Sequence, residues 1–529
     1  MEKLSKEMYK ELENVLGKEN VSQEPALLDG YAWQPALNVT NQKWISRPIA
    51  AVLPKTPEEV QKIIKLCIKY NVKMKPHSTG WAAWGGPSED GMLMVDLRRM
   101  NRIIELNEKD KYAVVEPYVC CSQLQAEAMK KGLTCHIIGA GPNTSALASA
   151  TAAWGYGGSG LSTGFSGRNL LGVEWVMPDG EILRIGSPGC DSGWFSGDGP
   201  GPGLRGIMRG FAGTQGSLGV FTKCAVKLFP YYAIKEPKVK GVLYNVRAEV
   251  TKTEKLFAVV APSFKTYADF TYKFGTSEIG HTIQRAPFGA FLHTMVPRAT
   301  EKFTGNKSLR AMGKAFQNMG MLSLSSESER EVEFQEKVLR EIVRETRCIL
   351  IDISKTPAFK FLWMMNHRSI PTALTFRAGG DFTTSYGSPV EYDNAMLQAK
   401  VAQKVKQKYI DNDVFFDDFS DIGWGAINEG TATWGHCEIA AMYDRRDGKA
   451  DERFQYLAES AETTVEYKMG VGLSNQAPGA WKIYGPQLYN YHLWQARIKK
   501  EFDPHLIGDE EFYVPSIDEI DEIMAEEKK

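Results

Sequence analysis

Apolar residues four apart open the chain. Leu4, Met8, Leu12 and Leu16 form one stripe in the otherwise charged MEKLSKEMYKELENVLG, which predicts an amphipathic helix rather than an export signal. PIAAVLP (48–54) predicts a strand. Thr56, Pro57 and Glu59 then supply an N-cap, a first-turn proline and a capping-box acid for a helix through EEVQKIIKLCIKY. VKMKP (72–76), MLMVDL (92–97) and YAVVEP (112–117) predict strands, and CSQLQAEAMKKG (121–132) a helix ending at glycine. GVEWVMPDGEILRIG (172–186) predicts a hairpin around Pro178-Asp179-Gly180. FAGTQGSLGVFTKCAVKLFP (211–230) is a glycine-rich turn feeding a strand. Beyond Glu236-Pro237 longer helical patterns appear, as in SEREVEFQEKVLREIVRE (328–345) and YDNAMLQAKVAQKVKQKYI (392–410), and they mark a second domain reaching about 470. Ser516 and Glu519 form a capping box for an acidic C-terminal helix. No run of about 18 apolar residues predicts a membrane span.

Composition narrows the classes. At roughly 150 residues per domain, 529 residues predict two to four domains. Lys plus Arg total 63 and Asp plus Glu 64, a balance that argues against a nucleic-acid or anionic-membrane partner. The cysteines at 67, 120, 121, 135, 190, 224, 348 and 437 contain no CxxC pair, which argues against iron–sulfur and structural zinc sites. Reduced thiols and a cytoplasmic location are the expectation.

The most unusual stretch is Gly132 to Gly167, which holds nine glycines and no Asp, Glu, Lys or Arg. GYGGSG (155–160) fits GxGxxG, but no strand precedes it and another Gly/Ser loop follows, so the dinucleotide fingerprint fails on context. Glycines let backbone amides approach a ligand, clustered N–H groups bind anions, and missing carboxylates avoid repelling phosphate. The run therefore suits a pyrophosphate and a flat heterocycle; tight turns in a crowded core would need the same composition. HSTGWAAWGG (77–86) and FAGTQGSLG (211–219) are two further glycine loops, and three loops in one domain suggest one elongated ligand.

Taken in order, these pieces resemble the FAD-binding oxidoreductases of the vanillyl-alcohol oxidase and p-cresol methylhydroxylase (PCMH) type, over about 48–230 and again 436–515. KPHSTGWAAWGG is similar to the pyrophosphate loop, GPNTSALASATAAWGYGG to the second flavin loop, and GRNLLGVEWVMPDGEIL and GTQGSLGVFTKCAVKLFP to the last two flavin signatures. The resemblance implies an α+β fold: a two-subdomain FAD-binding domain (1–235), an α/β cap (236–474) and a C-terminal segment returning to the FAD domain (475–529). It implies FAD contacts from His77, Ser78, Thr79, Gly80, Trp81, Pro142, Ser145, Thr151, Gly157, Gly158, Gly213, Gly216, Leu218, Gly219 and Val220.

Departures from the family pattern shape the functional expectation. The hydroxy-acid branch carries an arginine in the first loop and a two-histidine metal motif; here the loop reads His77, Ser78, Thr79, Gly80, Trp81, and GHCEIAAMYDRRD offers His436 alone, so no catalytic metal is expected. Asp381 stands where relatives tether FAD through His or Tyr, which implies non-covalent FAD, with His77 a second tether candidate. His436 is a candidate base, with an ordinary imidazole pKa near 6.5 suited to accepting a hydroxyl proton, or a substrate hydrogen-bond partner, or a satisfied core histidine. Lys482 is a candidate cation for a phenolate or a solvated lysine, and Trp81 and Trp481 are candidate pocket walls or core packing. Arg368 and Arg377 could anchor a carboxylate or form structural ion pairs, and the aromatic cluster Tyr484, Tyr489, Tyr491, His492 and Trp494 could line the pocket or a subunit interface. The expected activity is FAD-dependent oxidation of an alcohol or para-substituted phenol; the alternatives are a D-2-hydroxy-acid dehydrogenase and a flavin electron-transfer subunit. The expected partners are a small-molecule substrate, an electron-acceptor protein and a second copy in a dimer.

Overall fold

The computed structural model describes residues 3–32, 46–80, 85–136, 143–152, 155–194, 203–208, 214–232, 234–241, 247–289, 307–357, 359–360, 362–363, 381–420, 423–429, 434–472 and 481–509. Helices and strands mix throughout, as the α+β expectation requires.

The N-terminal stripe folds as the helix Lys6–Leu16 and buries Met8, Leu12 and Leu16. The Thr56 side chain accepts from the Glu59 amide and starts the helix Pro57–Tyr70, whose Val60, Ile63, Ile64 and Cys67 face inward. These helices cover a four-stranded sheet in the order Val21–Ser22, Ala50–Val52, Leu93–Asp96, Met74–His77, its last two pairings parallel. The first glycine loop leaves the end of the strand Met74–His77.

A second sheet is antiparallel, in the order Ile103–Asn107, Tyr112–Val115, Val220–Lys227, Leu170–Val176, Ile182–Ile185. Its last two strands are the expected hairpin, closed at Gly180, whose φ of +87° is a left-handed conformation glycine tolerates. Trp175 is fully buried against Phe221 and Phe502, and its indole donates to the Leu218 carbonyl at 2.6 Å.

Residues 254–443 build a third, antiparallel sheet in the order Ile349–Asp352, Glu254–Val260, Met319–Ser325, Thr282–Arg285, Gly423–Glu429, Trp434–Tyr443, Asp381–Tyr386. Strand alternation gives it two different faces. Cys437, Ile439, Ala441 and Tyr443 point into a core shared with the helices Phe264–Thr276, Tyr392–Asp411 and Ala450–Glu466. Trp434, His436 and Glu438 take the opposite face, which meets the glycine-rich loop at 155–160. The segment after the helix Tyr491–Phe502 returns to the first sheet, where the Met74 amide donates to the Ile507 carbonyl at 2.7 Å. Among the described residues no helix is long and apolar enough to cross a membrane.

Candidate functional site

Three glycine loops from distant parts of the chain meet. Thr79 of the first accepts from the Ser145 amide of the second at 3.1 Å. The Gln215 amide of the third donates to Ala152 at 2.8 Å. Gly216 (φ +88°) lies so close to Pro76 that a Cβ there would sit 2.9 Å from its ring. Ser145 caps the short helix Ala146–Ala150, and Gly219 (φ +86°) is pressed on the Val176 carbonyl, 2.3 Å from where a Cβ would be. His77 donates from Nδ1 to the Gly85 carbonyl at 2.7 Å, and burial holds its pKa below the usual value.

The polar groups left over point to a ligand with many acceptors and donors. The hydroxyls of Thr144, Thr214 and Ser217 are buried without a hydrogen-bond partner among the described residues. An unsatisfied buried hydroxyl costs roughly 1–3 kcal/mol, so three on two facing loops indicate that something else supplies their partners. A long ligand with phosphates and a polar ring edge fits this cradle. Thr151 is different: its hydroxyl is taken by the Leu147 carbonyl at 2.9 Å.

Next to the cradle, the cap sheet closes over Gly155–Gly160. Ile283 donates its amide to the Gly158 carbonyl at 3.3 Å, and Gln284 packs so tightly on Gly158 that a Cβ would lie 2.0 Å from its Nε2. Tyr156 stacks flat on His436, with ring centroids 3.7 Å apart and planes at 13°. Trp424 lies 4.9 Å from His436, and Phe165 lies 5.7 Å from both Tyr156 and Trp434. Trp424, Trp434 and Glu438 keep partial exposure at this seam, beside the buried Tyr156 and His436.

Burial sets the charges at this seam. His436 is fully buried, and burial pushes its pKa down to about 3. Burial thus sets it well below the ordinary value near 6.5 and favours the neutral imidazole. Glu438, two residues along on the same strand face, is pushed up to about 7 by burial. Its charge in turn raises the pKa of Tyr156, after burial itself. The aromatic cluster thus pairs an imidazole lowered by burial with a carboxyl raised by it.

Of the residues expected at the site, the structure brings His77, Thr79, Ser145, Gly216 and Gly219 to where the loops meet, and sets His436 near the start of its strand against Tyr156. It missed Tyr156, Gln284, Trp424, Trp434 and Glu438. Tyr156 stands inside the neutral run, and Trp434 and Glu438 flank His436, so a two-residue strand period counted outward from His436 would have found the last two. Trp81, Pro142 and Gly213, like Arg368, Arg377 and the tail at 516–519, lie outside the described residues, and so do the side chains of Asp381, Trp481 and Lys482. Among the described residues no group of His, Cys, Asp and Glu is placed to hold a metal.

Comparison with known proteins follows this geometry. Residues 48–186 match the FAD binding domain family. The chain is 27% identical over 278 residues, 50% of its length, to the glycolate oxidase subunit GlcD of Bacillus subtilis, covering 54% of that protein. It is 29% identical over 238 residues to the flavoprotein subunit of 4-cresol dehydrogenase [hydroxylating] of Pseudomonas putida, covering 42% of each chain. The matched stretches thus span about half or less of these relatives. Over 94% of both chains the structure superposes on p-cresol methylhydroxylase with substrate bound, with a TM-score of 0.74 at 19% identity.

Proposed function

We propose that this flavoprotein, a member by fold and FAD binding domain of the p-cresol methylhydroxylase type, oxidises an alcohol or para-substituted phenol. FAD is its cofactor and, when bound, would supply the two-electron oxidising power for removing hydride from the substrate carbon. The chain's own residues do the rest. The loops at 77–80, 144–151 and 214–219 would hold the cofactor through backbone amides and the hydroxyls of Thr144, Thr214 and Ser217. Tyr156, Phe165, Trp424 and Trp434 bind a flat or apolar substrate body and exclude water. Glu438 takes the hydroxyl proton from the substrate at its carboxylate oxygen. His436, neutral, orients the substrate by a hydrogen bond and keeps Tyr156 in place.

The observation that carries this reading is the aromatic cluster around His436, with Glu438 two residues along on the same strand face and its carboxyl pushed up to about 7 by burial. A base matched to the operating pH is the efficient one, whereas an imidazole at about 3 is a weak acceptor. The same carboxylate repels a substrate carboxylate, which sets alcohols and phenols ahead of 2-hydroxy acids. The test is anaerobic bleaching of the flavin with a panel of alcohols, para-alkyl phenols and 2-hydroxy acids, followed by Glu438→Gln with the best substrate. Reduction should slow by about 10²–10⁴-fold, and the rise of rate with pH near 7 should vanish. Reduction of the variant at the parent rate, with the limb intact, would sink the assignment.

Asp381 in place of a tethering His or Tyr supports FAD held without a covalent bond. Acid precipitation should then leave the flavin in the supernatant; yellow in the pellet would mean a tether elsewhere. The 4-cresol dehydrogenase likeness supports a partner protein as electron acceptor.

A further inference from the structure

Two fully buried lysines stand behind the cofactor loops, and neither has a role in the reading above. Lys75 lies on the strand that delivers His77 and is 2% exposed; its Nζ donates to the Gln215 carbonyl at 2.8 Å and pairs with Asp509 at 2.9 Å. Lys499, 0% exposed, donates to the Ser217 carbonyl at 2.7 Å, to Asp503 at 2.6 Å and to the Gly508 carbonyl at 3.0 Å. Both ammonium groups thus reach into the same glycine loop, and both are neutralised by aspartates of one C-terminal segment.

The aspartates are themselves built in. Asp503 accepts from the amides of Ile507 at 3.1 Å and Gly508 at 2.8 Å. Asp509 accepts from the Ser88 hydroxyl at 2.6 Å and the Ser88 amide at 3.2 Å, beyond the first loop. Gly508 is held so close that a Cβ would fall 2.4 Å from the Ser217 carbonyl oxygen. Two buried charge pairs are a costly way merely to hold a segment in place, since well-packed apolar residues do that at least as well. What charge adds is direction: an ammonium draws a carbonyl oxygen toward itself. With the Trp175 indole on the Leu218 carbonyl, three carbonyls of the 214–219 loop are drawn to named donors behind it. The turn they fix is not relaxed, for Gln215 carries φ +50° without being glycine.

We infer that Lys75 and Lys499 are positioning residues of the FAD site, and that the segment 499–509 is a working part of that site. By turning the carbonyls of Gln215 and Ser217 away from the cofactor, they keep the hydroxyls of Thr214 and Ser217 presented to it. This rests on the FAD reading of the loops. By linkage, FAD must in turn tighten the segment 499–509.

The test uses apoprotein titrated with FAD, read by quenching of flavin fluorescence. Lys499→Met with Asp503→Asn removes both charges together, so neither is left buried alone. FAD should bind at least tenfold more weakly while the melting temperature of the apoprotein moves little. The equally buried pair Lys406–Asp418, in the cap, is the control: Lys406→Met with Asp418→Asn should change stability and leave FAD affinity unchanged. If the first double variant does not fold, Lys75→Met with Asp509→Asn takes its place. The parent protein gives an independent reading. Hydrogen exchange of the peptide 499–509 should slow at least tenfold when FAD is added. Parent-like FAD affinity in a folded pair variant, or exchange indifferent to FAD, overturns the inference alone. Parent apoprotein that binds no FAD overturns the FAD reading with it.

Discussion

His436 shows how far environment overrides residue type. Its family position offers a base, a hydrogen-bond partner or a core histidine, and burial lowers its pKa to about 3, which favours the neutral partner over the base. Replacing it by Asn should therefore slow flavin reduction and lose stacking worth about 0.5–1.5 kcal/mol, yet keep the pH limb near 7. Stopped-flow reduction from pH 5 to 9 measures this, and a vanished limb would return the base to His436. Glu254 offers a stability prediction of the same kind. Burial pushes it up to about 8, while its neighbours Trp363 and Tyr231 pull it the other way. A raised carboxyl pKa means stability fully present below the unfolded value near 4.5 and lost as pH rises through 8. Glu254→Gln should accordingly be more stable relative to the parent at pH 9 than at pH 5, by a few kcal/mol at 1.36 kcal/mol per pKa unit. Urea midpoints that shift equally at both pH values would contradict it. Neither shift is legible in sequence, because a Glu or His beginning or following an apolar strand carries no mark of how deep that strand will lie.

Elements were legible where local chemistry decides them. Thr56 and Ser328 cap the helices the patterns marked, and Pro178-Asp179-Gly180 closes the hairpin. What local pattern could not show is which elements become neighbours. Gln284 and Trp424 are 140 residues apart, yet the Trp424 indole donates to Gln284 Oε1 at 3.0 Å, and the same Gln presses on Gly158. This contact predicts the outcome of Gly158→Ala. The new methyl pushes the Gln284 amide off the Trp424 indole, and overpacking of this kind costs about 1–3 kcal/mol. Adding Gln284→Ala should recover most of the lost thermal stability; a double variant no better than the single would place the strain elsewhere. Gly219→Ala has no such escape, since its Cβ would meet backbone at a positive φ, and the soluble protein should be lost.

At the scale of the molecule, three of the buried histidines among the described residues make the fold sensitive to acid. Burial pushes His136 and His281 down to about 4 and His436 to about 3. A depressed imidazole pKa means stability present above the unfolded value near 6.5 and lost as pH falls toward 4. With three such groups the loss approaches about 4 kcal/mol per pH unit below 6, and His281→Gln should remove roughly a third of that slope. Urea unfolding between pH 4.5 and 6.5 measures it; a flat profile would count against three neutral histidines. The clamp of Lys499 on Ser217 joins residues 282 positions apart, and that of Asp509 on Ser88 joins residues 421 apart. On the ribosome the glycine loop is therefore made well over two hundred residues before its anchor, and the cap is synthesised in the interval. At 5–20 residues per second the nascent chain waits on the order of ten seconds or more with Gln215 and Ser217 unclamped. On the inference above, a chain stalled before Lys499 would hold the glycine loop without its anchor and bind flavin more weakly than the chain that carries it.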